Sequence, residues 1–516
     1  MHKVMHFFNV FLIICIAMQM FFYPTFENIY ACVVVYAGWT LLRIKIITKK
    51  NISSYPLVTL MFFALAFFYF YTEVFVTLFE NKPVVYNLDS PILTFTLQLV
   101  YLLALYLAFL LFQKLEKVNV FHSLFRKINL YYSPTFVEVW LLGFIGVVSF
   151  FFSNGQSTVL AENRSSMDRF FEGFVFLTYL PIVFFSIPDG WNSLKKNPYT
   201  KYLVFLYIVV LIVCSVMTNR RHAIFGYILC PFLLWFFNSV RDGSLKNFKM
   251  TFIRFILIVF SAYFVFGPLT DFCLAMSVLR SRVHDIGGKE LLMETWKTYN
   301  DKKALEAQYR FFSEEQIDFS KIGYTEYYVD NILLNRFCNM KPIDNSVKYM
   351  QSLDWFWGDD FMREKLIEKM LYLLPNPIIK LLGIDYNKFA EGSYGFHDYL
   401  INRAVHSRGG GYRVGGDAGI GFATFGFFFF PFVVLFYGVF FSFIHAFGQK
   451  GSNIISIFGV CQLYDIFYIF QSNHGFVDDL CLILRIWPQR ILLFAGIIFL
   501  FKIFRVSRIG WSQRSM

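Results

Sequence analysis

The sequence predicts an all-α, polytopic integral membrane protein, and three observations carry that prediction. Hydrophobic residues make up 57% of the 516-residue chain, aromatic residues alone 21%, and the mean hydropathy is +0.52. Apolar runs of the length a bilayer requires, about 20 residues per helical span, recur along the chain. The connections between them alternate in charge. Backbone that faces lipid must satisfy its own hydrogen bonds, so such runs read as helices.

Roughly twelve runs qualify, near 6–23, 28–42, 54–79, 91–113, 135–153, 168–187, 201–218, 222–240, 249–269, 417–446, 452–471 and 479–503. After the second run comes "RIKIITKK", with four positive charges and no negative one. After the fourth comes "KLEKVNVFHSLFRK", with four positives against one negative. "PDGWNSLKKNPYTK", "RDGSLKNFK" and "KIFRVSRIGWSQR" follow the sixth, eighth and twelfth. The alternate connections carry Glu27, Glu80, Asp89, Asp478 and Asp479 with little positive charge. Lysine and arginine concentrate in cytoplasmic loops, so both termini are expected in the cytoplasm. The formal net charge of +12 belongs to these loops and gives no reason to expect nucleic acid as a partner.

Three regions follow: spans one to nine over 1–269, a large extracytoplasmic loop domain over 270–415, and spans ten to twelve with a short basic tail over 416–516. The loop holds 19 Lys+Arg against 20 Asp+Glu, the balance of a folded polar domain. Two stretches in it read as helical, "KELLMETWKTYNDKKALEAQYRFF" and "FMREKLIEKMLYLLP". The second runs on into "NPIIKLLGI", and either lies on the outer membrane surface or packs within the loop. Six of eight cysteines fall in or beside apolar runs, where they act as small hydrophobes; Cys273 and Cys338 in the loop could pair in an oxidising compartment. The first run lacks a small-residue cleavage site and reads as a retained anchor.

The segment "HSRGGGYRVGGDAGIGFATFG", His406 to Gly426, has eight glycines in 21 residues. No lysine of the phosphate-loop kind follows them and no strand precedes them, so a nucleotide site is not indicated. Gly419, Gly421 and Gly426 suit close helix approach. Arginine is unusual at the outer ends of spans, yet several occur there: Arg164, Arg169, Arg220, Arg221, Arg280, Arg408, Arg413 and Arg485. Any one could snorkel or pair with a nearby acid, as Arg485 could with Asp465. As a set they point to an anionic ligand, and a lipid-linked diphosphate fits, with its tail in the bilayer and its phosphates at the rim. Guanidinium groups match phosphate oxygens two at a time, and backbone amides of a glycine-rich turn add donors. Asp465 inside the eleventh run would also suit a proton-linked transporter.

The layout, "NRRHAIFGYILCPFLL", and "GGYRVGGDAGIGFATFGFFFFPFVVLFYGVFF" together resemble the O-antigen polymerase (Wzy) family of oligosaccharide repeat-unit polymerases. The match at residue level runs from Gly410 to Gly438 and includes Arg220 or Arg221. The resemblance implies a glycosyltransferase of GT-C-like architecture in a bacterial inner membrane. Such an enzyme extends undecaprenyl-diphosphate-linked repeat units into O-antigen or capsule-type polysaccharide on the outer leaflet, and needs no cofactor. The lipid-linked oligosaccharide would be the substrate and a chain-length regulator a candidate partner. A ligase, or a flippase for the same glycan, remains an alternative. A diphosphate leaves readily, so fixed positive charge and a base for the acceptor hydroxyl are what the chemistry asks for. His406, beside the glycine–arginine stretch, is the first candidate base and His397 the second, ahead of His284, Glu314, Glu315, Asp398 and Asp417. No metal-binding spacing recurs, so no metal is expected.

Overall fold

The structure is a computed structural model, and it describes residues 2–118, 120–153, 166–184, 199–241, 265–279, 287–308, 324–374, 376–384, 394–407, 411, 413–448, 455–470 and 475–514. Among these the regular structure is helical, and seven helices are long and apolar enough to cross a membrane. They run Met5–Phe22, Phe26–Ile46, Pro56–Phe79, Pro91–Val118, Tyr199–Met217, Asp417–His445 and Phe476–Ile503. Three shorter apolar helices, Phe136–Phe152, Phe170–Phe184 and Ala223–Ser239, occupy the fifth, sixth and eighth expected positions. The ninth run, apart from Val265–Leu269, lies outside the described residues. The eleventh is two short helices, Ile457–Cys461 and Leu463–Tyr468, separated at Gln462.

Helix starts follow local chemistry. Pro56 and Pro91 open their helices, where the missing N–H costs nothing. Thr25 and Thr48 accept from the amides three residues on, and Thr135 with Glu138 forms a capping box. The third span breaks at Tyr71 (φ −143°, ψ −54°), where the Thr72 hydroxyl bonds both Phe67 O (2.9 Å) and the carbonyl of Phe337. The Phe67 carbonyl also keeps the Tyr71 amide, so the hydroxyl inserts into the i→i−4 ladder at the break, a standard cause of a kink.

Successive spans run antiparallel, and the two ends of the bundle differ in charge. At one end Asn51 Nδ2 closes the turn of the first basic connection on Lys45 O (3.0 Å), and Tyr55 packs on Phe112 and His445. Tyr131 donates to Ala446 O (2.7 Å) and Lys502 to Asn129 (2.7 Å) at that same end. At the opposite end Gln19 donates to Thr77 (2.9 Å), Asn28 accepts from Val84 N (2.8 Å), and Asn339 donates to Phe470 O (3.2 Å). The first, second and last basic stretches thus meet at one end, and the segment 324–350 packs at the other.

That segment shares the core of the spans. Helix Met340–Met350, "MKPIDNSVKYM", is polar in sequence, yet Lys341 is 2% and Asp344 0% exposed. Asp344 accepts from the amides of Asp89 (2.7 Å) and Ser90 (2.9 Å) and from Thr94 Oγ1 (3.0 Å), so it caps helix Pro91–Leu115 from outside. A carboxylate at a helix N-terminus satisfies free amides and meets the favourable end of the dipole. Lys341 Nζ bridges Asp89 (2.8 Å) and Asp344 (3.3 Å). The two expected loop helices form as Gly288–Asn300, with a further turn after Asp301, and Asp360–Leu373. No disulfide joins Cys273 to Cys338.

Candidate functional site

The glycine stretch meets the buried helix at the end opposite the basic connections. Helix Phe396–Val405 begins at Gly395, whose amide donates to Asp398 Oδ2 (2.8 Å). Asp398 is fully buried and takes Arg413 Nε at 2.7 Å, while Arg413 Nη2 donates to Asn402 Oδ1 (3.1 Å). This ion pair ties the start of the glycine stretch to the helix before it. Tyr324 lines the same pair, its ring 5.9 Å from the Arg413 guanidinium. Burial pushes the Tyr324 hydroxyl well above the usual phenol range, so it stays protonated, donating to Glu326 and accepting from Val414 N (3.0 Å).

The glycines serve close approach. A Cβ on Gly415 would fall 2.0 Å from His397 Cδ2 and 2.1 Å from Ser346 Oγ, and one on Gly419 would fall 2.5 Å from the Ser346 carbonyl carbon. Gly416 N donates to Ser346 Oγ (2.8 Å). Gly426 turns the chain at φ +58° with the Phe356 carbonyl against it. Small residues let backbones pack at these distances in a membrane bundle.

Just past this contact the chain enters the span Asp417–His445. Tyr101 Oη lies 2.7 Å from Asp417 Oδ2, Tyr101 and Tyr437 share a hydrogen bond (3.1 Å), and Tyr437 Oη lies 2.6 Å from Asp479 Oδ2. Gly475, at φ +89°, opens the last span, and His397 Cε1 and Asp417 Oδ1 lie 3.4 and 3.6 Å from where its Cβ would be. His397 and Asp417 therefore face one corner. On the same helix Asp478 feels the Lys369 ammonium, and Arg485 sits 6.0 Å from the Tyr372 ring within a π-helical turn, Leu482–Ile486. Lys369 flanks that ring from 5.4 Å and donates to Tyr394 O (2.6 Å). π-Turns inside helices often mark functional positions.

The expected site residues are dispersed. His397 lies buried in the corner; His406 is exposed, in left-handed conformation (φ 52°), at the far end of the same ten-residue helix. Arg413 is held by Asp398. Arg220 donates to Ser153 O (2.7 Å) over the Phe150 ring, between the fifth and seventh spans. Arg485 makes neither an ion pair nor a hydrogen bond with any described residue. Asp465 pairs with Arg490, which also donates to Gln462 (2.6 Å), so the expected partner Arg485 is replaced by the arginine five residues further along. Arg164, Arg280, Arg408, His284, Glu314 and Glu315 lie outside the described residues, as do the side chains of Arg169 and Arg221. Among the described residues no group of three or more His, Cys, Asp or Glu is arranged to hold a metal. Sequence reasoning missed Ser346, Lys369, Tyr101 and Tyr437. A hydroxyl repeated inside apolar runs, at Tyr101 and Tyr437, was the available signal.

Fold and site together define a membrane-embedded, all-helical protein with a polar corner at the end of the bundle away from its basic connections. Comparison with protein-family models, curated proteins and solved structures found no match.

Proposed function

We propose that this protein polymerises lipid-diphosphate-linked oligosaccharide repeat units, with its polar corner on the outer leaflet of a bacterial inner membrane and both termini in the cytoplasm. The sequence resemblance to the O-antigen polymerase family supports the reading. One structural observation carries it. The corner of His397 and Asp417 and the cation Arg485, without an ion pair among the described residues, lie on or against the single stretch Gly475–Arg485. Other arginines at this end are engaged: Arg336 with Glu326, Arg363 with Asp360, Arg403 with Asp359 and Arg413 with Asp398.

In this reading Arg485, with Lys369 across Tyr372, holds the diphosphate, and His397 receives the proton of the acceptor hydroxyl. The acceptor oxygen bonds to the anomeric carbon, the bond from that carbon to phosphate oxygen breaks, and the electron pair leaves on the lipid diphosphate. Fixed positive charge stabilises that leaving group, and removal of one such contact typically costs 10²–10³ in rate. Arg485 and Asp478 stand seven residues apart, about 10 Å of helical rise, a span the arginine side chain can largely cover.

The test is chain extension by the purified protein on a lipid-diphosphate-linked oligosaccharide. Arg485→Ala should lower turnover on the order of 10²-fold, with Arg485→Lys restoring part of it. His397→Ala should lower turnover without weakening binding of a lipid-diphosphate analogue, whereas the exposed His406→Ala should keep most activity. Full extension by both Arg485→Ala and His397→Ala would end the reading. A proton-linked carrier of the same glycan is the second reading, favoured by two carboxylates, Asp417 and Asp479, inside the bundle. Extension in detergent, where no gradient exists, separates the two.

A further inference from the structure

We propose that Asp417 and Asp479 hold a single proton between them, exchanged along the chain Asp417–Tyr101–Tyr437–Asp479. The inference does not rest on the polymerase reading and would hold equally in a carrier.

The number of hydrogens the chain can hold decides its charge. Four oxygens are joined by three contacts, of 2.7, 3.1 and 2.6 Å. Each contact needs one hydrogen. With both carboxylates ionised only the two phenols supply any, so one contact would set oxygen against oxygen. With both carboxyls protonated there are four hydrogens for three contacts. With one proton on the pair the supply matches the demand, and it does so in two ways. In one, Asp479 donates to Tyr437, Tyr437 to Tyr101 and Tyr101 to an ionised Asp417. In the other all three bonds reverse, and Asp479 is the ionised end. No atom but the three hydrogens moves, so the two arrangements interconvert without repacking.

A second observation points the same way. Asp417 Oδ1 is buried and makes no hydrogen bond of ordinary geometry with a described residue, although the Phe476 amide is close by. Two anions sharing one water-poor site cannot both be ionised cheaply. Few of the described residues face the pair with a titratable group. They are Tyr69 from the third span, Asp478 beside Asp479, and His397 across Gly475; Lys369 faces Asp478. None of these supplies a cation paired directly with Asp417 or Asp479. Buried carboxylate pairs that share a proton titrate as a unit.

The arrangement gives the protein a place to put a proton. When Asp479 holds it, Asp417 is an anion at the His397 corner; when Asp417 holds it, Asp417 is neutral there.

The test is the protonated-carboxyl C=O band in the infrared spectrum of the full-length protein in nanodiscs at neutral pH. Glu73, fully buried without a hydrogen bond to any described residue, gives a background common to all variants. Asp417→Asn and Asp479→Asn should each lose the band of one carboxyl, because the remaining aspartate then keeps a tyrosine donor and ionises. The double variant should lose no more than either single one. Tyr437→Phe, which keeps the ring and leaves Asp479 without its partner, should leave one protonated carboxyl and shift its band to the higher frequency of an unbonded group. Losses that add in the double variant, or a band unchanged in Tyr437→Phe and in whichever aspartate variant folds, would overturn the shared proton.

Discussion

Asp398 Oδ1 and Arg413 Nε lie 2.7 Å apart, the carboxylate wholly buried and the guanidinium nearly so. Asp398 also accepts from Gly395 N, so the pair fixes both a helix start and the entry of the glycine stretch. Removing one partner of a buried pair leaves an uncompensated charge and typically costs about 3–5 kcal/mol. Arg413→Ala should therefore destabilise the folded protein by that amount. Asp398→Ala, Arg413→Ala together should cost clearly less than the two single changes added, because neither then strands a charge. Thermal unfolding of the three variants in one detergent measures this; additive losses would show that the pair is not coupled.

Asp89 offers a pH-dependent contact outside the spans. Burial pushes its carboxyl up, but hydrogen bonds and charge from Lys341 and Lys348 outweigh this and hold it below the usual carboxylate value. A group whose pKa is depressed by folding stabilises the fold above its unfolded pKa, about 3.9, and loses that contribution as pH falls through the folded value. Protection of the amides of residues 84–94 against hydrogen exchange, taken relative to the intrinsic rate at each pH, should be high near neutrality and fall as pH drops below about 4. Lys341→Met should remove most of that acid dependence, and an unchanged profile would rule out Asp89 as its source.

The glycines divide into those pressed by neighbours and those in open space. Gly415→Ala would drive a methyl into His397 and Ser346, and Gly419→Ala into the backbone at Ser346. Overpacking of this kind costs typically about 1–3 kcal/mol, more where backbone must shift. Gly411 has nothing within 4 Å of its would-be Cβ, so Gly411→Ala should be silent. Equal stability of all three variants, measured by denaturant midpoint, would mean that the glycine contacts are not tight.

Orientation is testable by fusion. A reporter active only outside the cytoplasm should work when joined near residue 330 and fail near residues 48, 120, 195 or 246. The structure puts the 43–55 and 113–131 connections at one end and Tyr328, bonded to the Val84 carbonyl, at the other, so 330 must differ from 48 and 120. The opposite pattern of reporter activity would invert the protein in the membrane.

Apolar length made seven spans legible in sequence, and the basic stretches near 43–50, 114–127 and 502 fall at one end, as the alternation of charge expected. The glycine stretch was legible as a packing device, since glycine has few uses beside a helix start in a bilayer. The broken eleventh run was not, because Gln462 and Asp465 find their partner, Arg490, 28 and 25 residues away. Helix Met340–Met350 was hidden by its own polarity. Lys341 and Asp344 read as surface residues until Asp89, Ser90 and Thr94 are brought against them from a distant span.

By itself the sequence determined that this chain carries helices apolar enough to cross a membrane, and which of the connections between its apolar runs are basic. Transfer of apolar surface is local and additive, so it can be summed along the chain. Only the tertiary structure decided which polar side chains meet: His397 with Asp417 at Gly475, Asp398 with Arg413, Tyr101 with Tyr437, and Arg485 left without an ion pair among the described residues. Hydrogen bonds and ion pairs act over a few ångströms between residues far apart in sequence, and no periodicity along the chain records them.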